Sequence, residues 1–151
     1  MKNPFKFFRH NIGIDLGTAN TLIYVSGRGI VVNEPTAVAI NTKTNKVVAV
    51  GHEAKAMLGR TPLHMNVVKP LSGGVISDFE MTQEILRQFL KKLAKGNSFT
   101  YFQNAVVGVP ADLTEVERKS VEDAVIGAGV SQAYIIEAAL ASALGARLPV
   151  S

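Results

Sequence analysis

The sequence predicts an α/β protein, a mixed sheet carrying helices on its faces, with a small α+β subdomain inserted. Three observations predict it. Within Asn11 to Tyr24, Ile12, Ile14 and Leu16 alternate with small or polar residues, and Ile23 and Val25 resume the alternation after a polar turn. That is the pattern of two short strands in a hairpin. Beyond residue 78, three segments of helical periodicity alternate with two compact apolar strands, the order that places helices against a sheet. Between these regions lies a polar, Pro-punctuated stretch that reads as an insertion between the third strand and the long helix.

Taken in order, Gly29 to Val32 is a third meander strand, which Asn33-Glu34-Pro35 is expected to interrupt. Thr36 to Ile40 and Lys46 to Val50 form a further hairpin around a polar connection, Asn41 to Asn45. A short helix is expected from Glu53 to Leu58, closed by Gly59, and an irregular run follows from Arg60 to Pro70. Asp78 can cap the next helix, whose Met81, Ile85, Leu86, Phe89, Leu90 and Leu93 make one apolar face. Lys91, Lys92 and Lys95 complement its C-terminal dipole, and Gly96-Asn97 end it. Ala105 to Val109 is a strand. Thr114 and Glu117 have capping-box spacing and start a helix to about Ile126, with Gly127 and Gly129 closing it. Gln132 to Ile136 is the last strand, and Glu137 to Leu144 a helix of small residues.

At 151 residues the chain can bury about two-thirds of its unfolded surface in one core. Hydrophobic residues at 47% and charged residues at 19% place it among globular proteins. It has no cysteine, which excludes disulfides and thiolate metal sites, and its histidines, His10, His52 and His64, lack metal-ligand spacing. No apolar run approaches the roughly 20 residues of a membrane span. The net charge is +4, but the cations are dispersed and no helix carries a basic stripe, so nucleic-acid binding is not expected. The leader, MKNPFKFFRH, interleaves Phe5, Phe7 and Phe8 with Lys2, Lys6 and Arg9. Such a segment can seat in an anionic membrane interface or simply pack its aromatics on the domain.

The hairpin turn carries the candidate chemistry. Gly17 has no side chain, and Thr18, Asn20 and Thr21 surround it with hydroxyls and an amide. Successive N–H groups in such a turn can bind a phosphate, and Asp15 at the strand end can orient Mg²⁺-bound waters. An ordinary hairpin with a capping Asp fits the same residues.

The joint set DLGTANT (15–21), GIVVNEP (29–35), GRTP (59–62), GVISDFE (74–80) and VVGVPADLTEVER (106–118) resembles bacterial actin-like cell-shape proteins of the MreB type, over nearly the whole chain. The first motif alone would indicate only the actin, Hsp70 and sugar-kinase superfamily. The resemblance implies a ribonuclease-H-like lobe, with 11–33 and 74–151 as an incomplete core, 34–73 as the inserted subdomain and 1–10 as a membrane-binding leader. It implies an ATP- and Mg²⁺-binding parent protein with slow ATPase activity coupled to assembly, and weak or absent nucleotide binding by this chain alone. Its filaments would lie in the cytoplasm, peripherally on the inner face of the cytoplasmic membrane. Its partners would be filament protomers of its own kind, anionic lipid and the cell-wall elongation machinery. By the same resemblance, Asp15 organises Mg²⁺, Gly17, Thr18, Ala19 and Asn20 line the first phosphate loop, and Glu117 touches the nucleotide cleft. Phe99, Tyr101 and Phe102 resemble an apolar membrane loop, although a core cluster at a hairpin edge fits them equally.

Two departures stand out. The family has Glu-Glu-Pro where this chain has Glu137-Ala138-Ala139. Ala138 therefore takes the place of the carboxylate that orients the attacking water, leaving Asp15 and the adjacent Glu137 as the catalytic candidates and hydrolysis slow. The chain also ends before the second phosphate loop and the adenosine-binding lobe. A superfamily phosphotransferase or chaperone fragment, and a binding module without hydrolysis, are the competing readings.

Overall fold

In the computed structural model, which describes residues 9–60, 63–94 and 101–149, the first alternation becomes β1 (Arg9–Leu16) and β2 (Asn20–Val25). They pair antiparallel, with Ile14 opposite Ile23 and Asp15 opposite Leu22. β3 (Gly29–Pro35) adds antiparallel to β2. Asn33, Glu34 and Pro35 extend this strand rather than interrupt it, because β3 is the sheet's edge and Pro35 stands at its end, where a missing N–H costs no ladder bond.

The segment after β3 forms a second, three-stranded sheet ordered β5-β4-β6 from β4 (Val38–Asn41), β5 (Lys46–Val50) and β6 (Met65–Val68). Arg60 to Pro70 thus contains a strand. α1 is shorter than its periodicity suggested, spanning His52–Ala56, and buries Ala54. A small hairpin, β7 (Leu71–Ser72) with β8 (Val75–Ile76), leads back to the first sheet.

α2 (Phe79–Ala94) starts where Asp78 Oδ1 accepts the Met81 N–H at 3.0 Å. Met81, Ile85, Leu86, Phe89 and Leu90 are buried along its apolar face, as the helical spacing requires. β9 (Tyr101–Val109), α3 (Glu115–Gly127), β10 (Val130–Glu137) and α4 (Ala138–Gly145) complete the chain. β9 pairs parallel to β1 and β10 parallel to β9, so the main sheet is ordered β10-β9-β1-β2-β3. The expected alternation of strands and helices holds, and the class is a mixed α/β sheet with helices on its faces.

The core lies on one side of that sheet. Ile12, Ile14, Leu16, Ile23, Val25 and Val107 join Ile85, Leu86 and Phe89 of α2 and Val121 and Val125 of α3 in a single cluster. Each fully buried side chain of this size contributes roughly 1.5–3 kcal/mol of transfer free energy. Phe102 belongs to the same cluster at 5% exposure, which removes it from any membrane loop and assigns it to the core. Phe99 lies outside the described residues.

Candidate functional site

Because side chains alternate along a strand, burying Ile12, Ile14 and Leu16 turns Gly13 and Asp15 to the opposite face. There Gly13, Asp15, Tyr24, Val106, Gly108 and Ile136 line an open cleft of about 330 Å³, closed on one side by Ala138, Ala141 and Ser142 of α4. Asp15 is exposed, and its carboxylate has no hydrogen-bond or ion-pair partner among the described residues. It is the cleft's one acidic side chain, set among apolar and small neighbours.

The turn from Gly17 to Ala19 continues directly from β1 and is held from below. The Thr36 hydroxyl donates to the Gly17 carbonyl at 2.7 Å, and the Thr36 N–H donates to the Ala19 carbonyl at 3.0 Å. Thr21 and Thr36, both fully buried, share a hydroxyl–hydroxyl bond of 2.9 Å. From the other side, the Gly74 N–H donates to the Thr18 hydroxyl oxygen at 2.8 Å. Gly17 must lack a side chain because a Cβ would stand 2.7 Å from the Asn20 carbonyl oxygen. The N–H groups of Thr18 and Ala19 meet no acceptor among the described residues. Two adjacent N–H groups without an acceptor among the described residues, following closely in the chain on the Asp15 carboxylate, suit an anion carrying a hydrated cation.

Glu137 and Glu117 stand apart from this arrangement. Glu137 closes β10, and its Oε1 lies 3.8 Å from Nη2 of Arg118, which also donates to the Ala111 carbonyl at 3.1 Å. The next residue, Ala138, is the one that lines the cleft; its Cβ would stand 3.7 Å from a Cβ placed on Gly108. Glu117 is occupied in the capping box of α3, where Oε2 accepts the Thr114 N–H at 2.8 Å and the Thr114 hydroxyl at 2.7 Å. Those bonds, the backbone one foremost, hold its carboxyl below the ordinary carboxylate range. Thr36 is the feature that sequence reasoning missed. A Thr after a strand-ending Pro carries no local signal of the carbonyl it reaches 19 positions earlier.

No group of three or more His, Cys, Asp or Glu able to hold a metal occurs among the described residues. The donor set suits Mg²⁺, which keeps most of its waters and takes one or two carboxylates plus substrate phosphates.

A three-strand antiparallel meander continued by two parallel strands, with its turn and lone Asp at the strand ends, defines a lobe of the actin, Hsp70 and sugar-kinase superfamily. The family model for MreB/Mbl protein matches residues 9–151, and the chain belongs to that family. It is 45% identical over 148 residues to the cell shape-determining protein MreB of Pasteurella multocida, covering 95% of this chain and 42% of that protein. Against the cell shape-determining protein Mbl of Bacillus subtilis the identity is 42% over 143 residues, covering 95% and 43%. The crystal structure of MreB5 of Spiroplasma citri bound to ADP superposes with a TM-score of 0.80 at 38% identity, covering 91% of this chain and 41% of that one. The MamK double helical filament, at 23% identity and a TM-score of 0.76, shares the fold. The chain thus spans less than half the length of the relatives it matches.

Proposed function

We propose that this chain is the first lobe of an actin-like, ATP-binding filament protein that assembles on the inner face of the cytoplasmic membrane and organises cell-wall synthesis and cell shape. The observation that carries the nucleotide reading is the Gly17–Ala19 turn, whose Thr18 and Ala19 N–H groups, like the Asp15 carboxylate at the end of the preceding strand, meet no partner among the described residues. Family membership supports it, as do the structures of Spiroplasma citri MreB5 bound to ADP and to AMPPNP. Gly17, Thr18, Ala19 and Asn20 would hold the phosphates, and Asp15 would anchor the waters of Mg²⁺. When bound, the cation would screen phosphate charge. Residues 11–33 and 74–151 would form the lobe core, and 34–73 its inserted subdomain.

Hydrolysis is a separate matter. A water beside the phosphate needs an acceptor within hydrogen-bond reach, and Ala138 offers none. Glu137 would have to leave Arg118 to take that part, so turnover would be slow. Glu117 would act on the nucleotide only indirectly, by holding the first turn of α3. Self-association into filaments, contact with anionic lipid through residues 1–10 and engagement of the wall-elongation machinery complete the reading. Among the described residues no helix is long and apolar enough to cross a membrane, so attachment would be peripheral.

The test is Asp15→Ala in a protein extended to the relatives' length. Mg²⁺-dependent ATP affinity should fall at least tenfold with the fold retained, because this side chain is exposed and outside the core cluster. Unchanged affinity by titration calorimetry would remove Asp15 from the site.

A further inference from the structure

We propose that Thr36 is the positioning residue of the phosphate turn. The inference rests on reading that turn as a phosphate site. The hydrogen bonds give it a direction. A carbonyl cannot donate, so the bond to Gly17 at 2.7 Å uses the single Thr36 hydroxyl proton. The 2.9 Å contact with Thr21 must then be a donation from Thr21 to Thr36. The relay runs from the Thr21 hydroxyl to the Thr36 hydroxyl to the Gly17 carbonyl, through a site where Thr21 is 0% and Thr36 1% exposed.

The consequence follows from peptide geometry. Every described peptide is trans, and in a planar trans peptide the C=O and the following N–H point in opposite directions. Drawing the Gly17 carbonyl inward to Thr36 therefore turns the Thr18 N–H outward. The Thr36 N–H does the same to the next unit but one, by binding the Ala19 carbonyl at 3.0 Å and leaving the Asn20 N–H on the opposite side. One buried residue thus sets two peptide planes of the turn. It does so from the start of the segment that leads into the second sheet, without touching a ligand itself.

Replacing the hydroxyl removes the first of these constraints and leaves the second. Thr36→Val strands the Gly17 carbonyl and lets the 17–18 peptide rotate, whereas Thr21→Val leaves the Thr36–Gly17 bond intact. Thr36→Val loses both bonds of the relay and Thr21→Val only one, so both lower stability, but only the first should misalign the turn. Thr36→Ser keeps the donor and should rescue.

The experiment uses the isotope-labelled protein extended to the relatives' length and millimolar Mg·ATP, read by the amide resonances of residues 17–20. The unmutated chain and Thr21→Val should show saturable shifts at Thr18 and Ala19. Thr36→Ser should stay within about twofold of them in affinity, and Thr36→Val should weaken by about tenfold, the size of one lost hydrogen bond. Equal affinity in Thr36→Val overturns the inference. A ligand-free measurement keeps it testable if Thr36→Val does not fold. In the unmutated chain the Thr36 hydroxyl proton should exchange slowly and show a dipolar contact to the turn, and its absence also overturns the inference. No response at 17–20 in the unmutated chain would instead sink the phosphate reading, and with it any positioning role.

Discussion

The Glu34 carboxylate accepts the backbone N–H of His52 at 2.8 Å, joining the edge strand of the main sheet to the first turn of α1. Its other oxygen lies 3.7 Å from Nζ of Lys92 on α2. One side chain therefore connects β3, α1 and α2, and this is possible only because Gly51 precedes His52. Gly51 has φ 66 and ψ −134, and a Cβ there would collide with Glu34 Oε2.

Gly51→Ala should accordingly destabilise the chain by about 1–3 kcal/mol, the cost of holding a side-chain-bearing residue in a backbone region that favours glycine. Urea unfolding would read it. Glu34→Gln keeps an acceptor for His52 while losing the charge opposite the exposed Lys92, so its effect should stay under about 1 kcal/mol. A Gly51→Ala chain as stable as the original would contradict the strain argument.

The cap of α3 gives a pH prediction. Glu117 titrates below the ordinary carboxylate range because Thr114 donates to it through backbone and hydroxyl. The folded pKa is lower than the unfolded one, so this stabilisation is fully present above the unfolded value. It disappears as pH falls through the lowered folded value. Thr114→Val removes the hydroxyl donor and should move the Glu117 titration upward, followed by its side-chain carboxyl resonance. The backbone donor remains, so the shift should be partial; no movement would show that the hydroxyl contributes nothing.

The capping box, the Asp78 cap and the apolar face of α2 were legible because each depends on neighbours within four positions. The hairpin was legible because alternation alone places Ile14 inward and Asp15 outward. What sequence concealed lies across long separations. Pro35 looks like a strand breaker until the sheet order makes β3 an edge, and Phe102 looks like a surface anchor until β9 begins at Tyr101 and turns it inward. The Thr21–Thr36–Gly17 relay spans 15 and 19 positions and has no periodicity to betray it. At the site, Ala138 lines the cleft while the Glu137 carboxylate lies beside Arg118, a partner that could not be foreseen.

Restoring a carboxylate at that position tests the hydrolysis proposal. Ala138 lines the cleft opposite the side-chain-free Gly108, so a longer side chain has space to enter. In a protein of the relatives' full length, Ala138→Glu should raise phosphate release at saturating ATP, on the order of 10²-fold, a modest share for a positioned acceptor. ATP affinity should change little. Unchanged release would place the water-orienting group elsewhere.

The membrane proposal changes most in the light of the fold. Phe102 is buried, so Phe102→Ala should cost about 3–5 kcal/mol and report on the core rather than on lipid. Attachment then depends on the leader, which lies outside the described residues except for Arg9 and His10. Lys2 and Lys6 could each contribute about 1 kcal/mol beside an anionic leaflet. Phe5, Phe7 and Phe8, partly inserted, could add roughly 1.5–3 kcal/mol each before ordering costs are subtracted. The deletion that tests this should stop at Phe8, because Arg9 opens β1 and pairs with Tyr101. Removing residues 1–8 should abolish most binding to anionic vesicles while circular dichroism stays unchanged. Raising salt should weaken what the intact chain shows, since exposed charges are screened beyond about 8–10 Å at physiological ionic strength. Filament assembly would multiply a weak single attachment into a firm one, so the loss should be larger for assembled protein than for isolated chains. Co-sedimentation with vesicles at matched protein concentration measures both, and full binding by the truncated chain would assign the leader's aromatics to protein contacts instead.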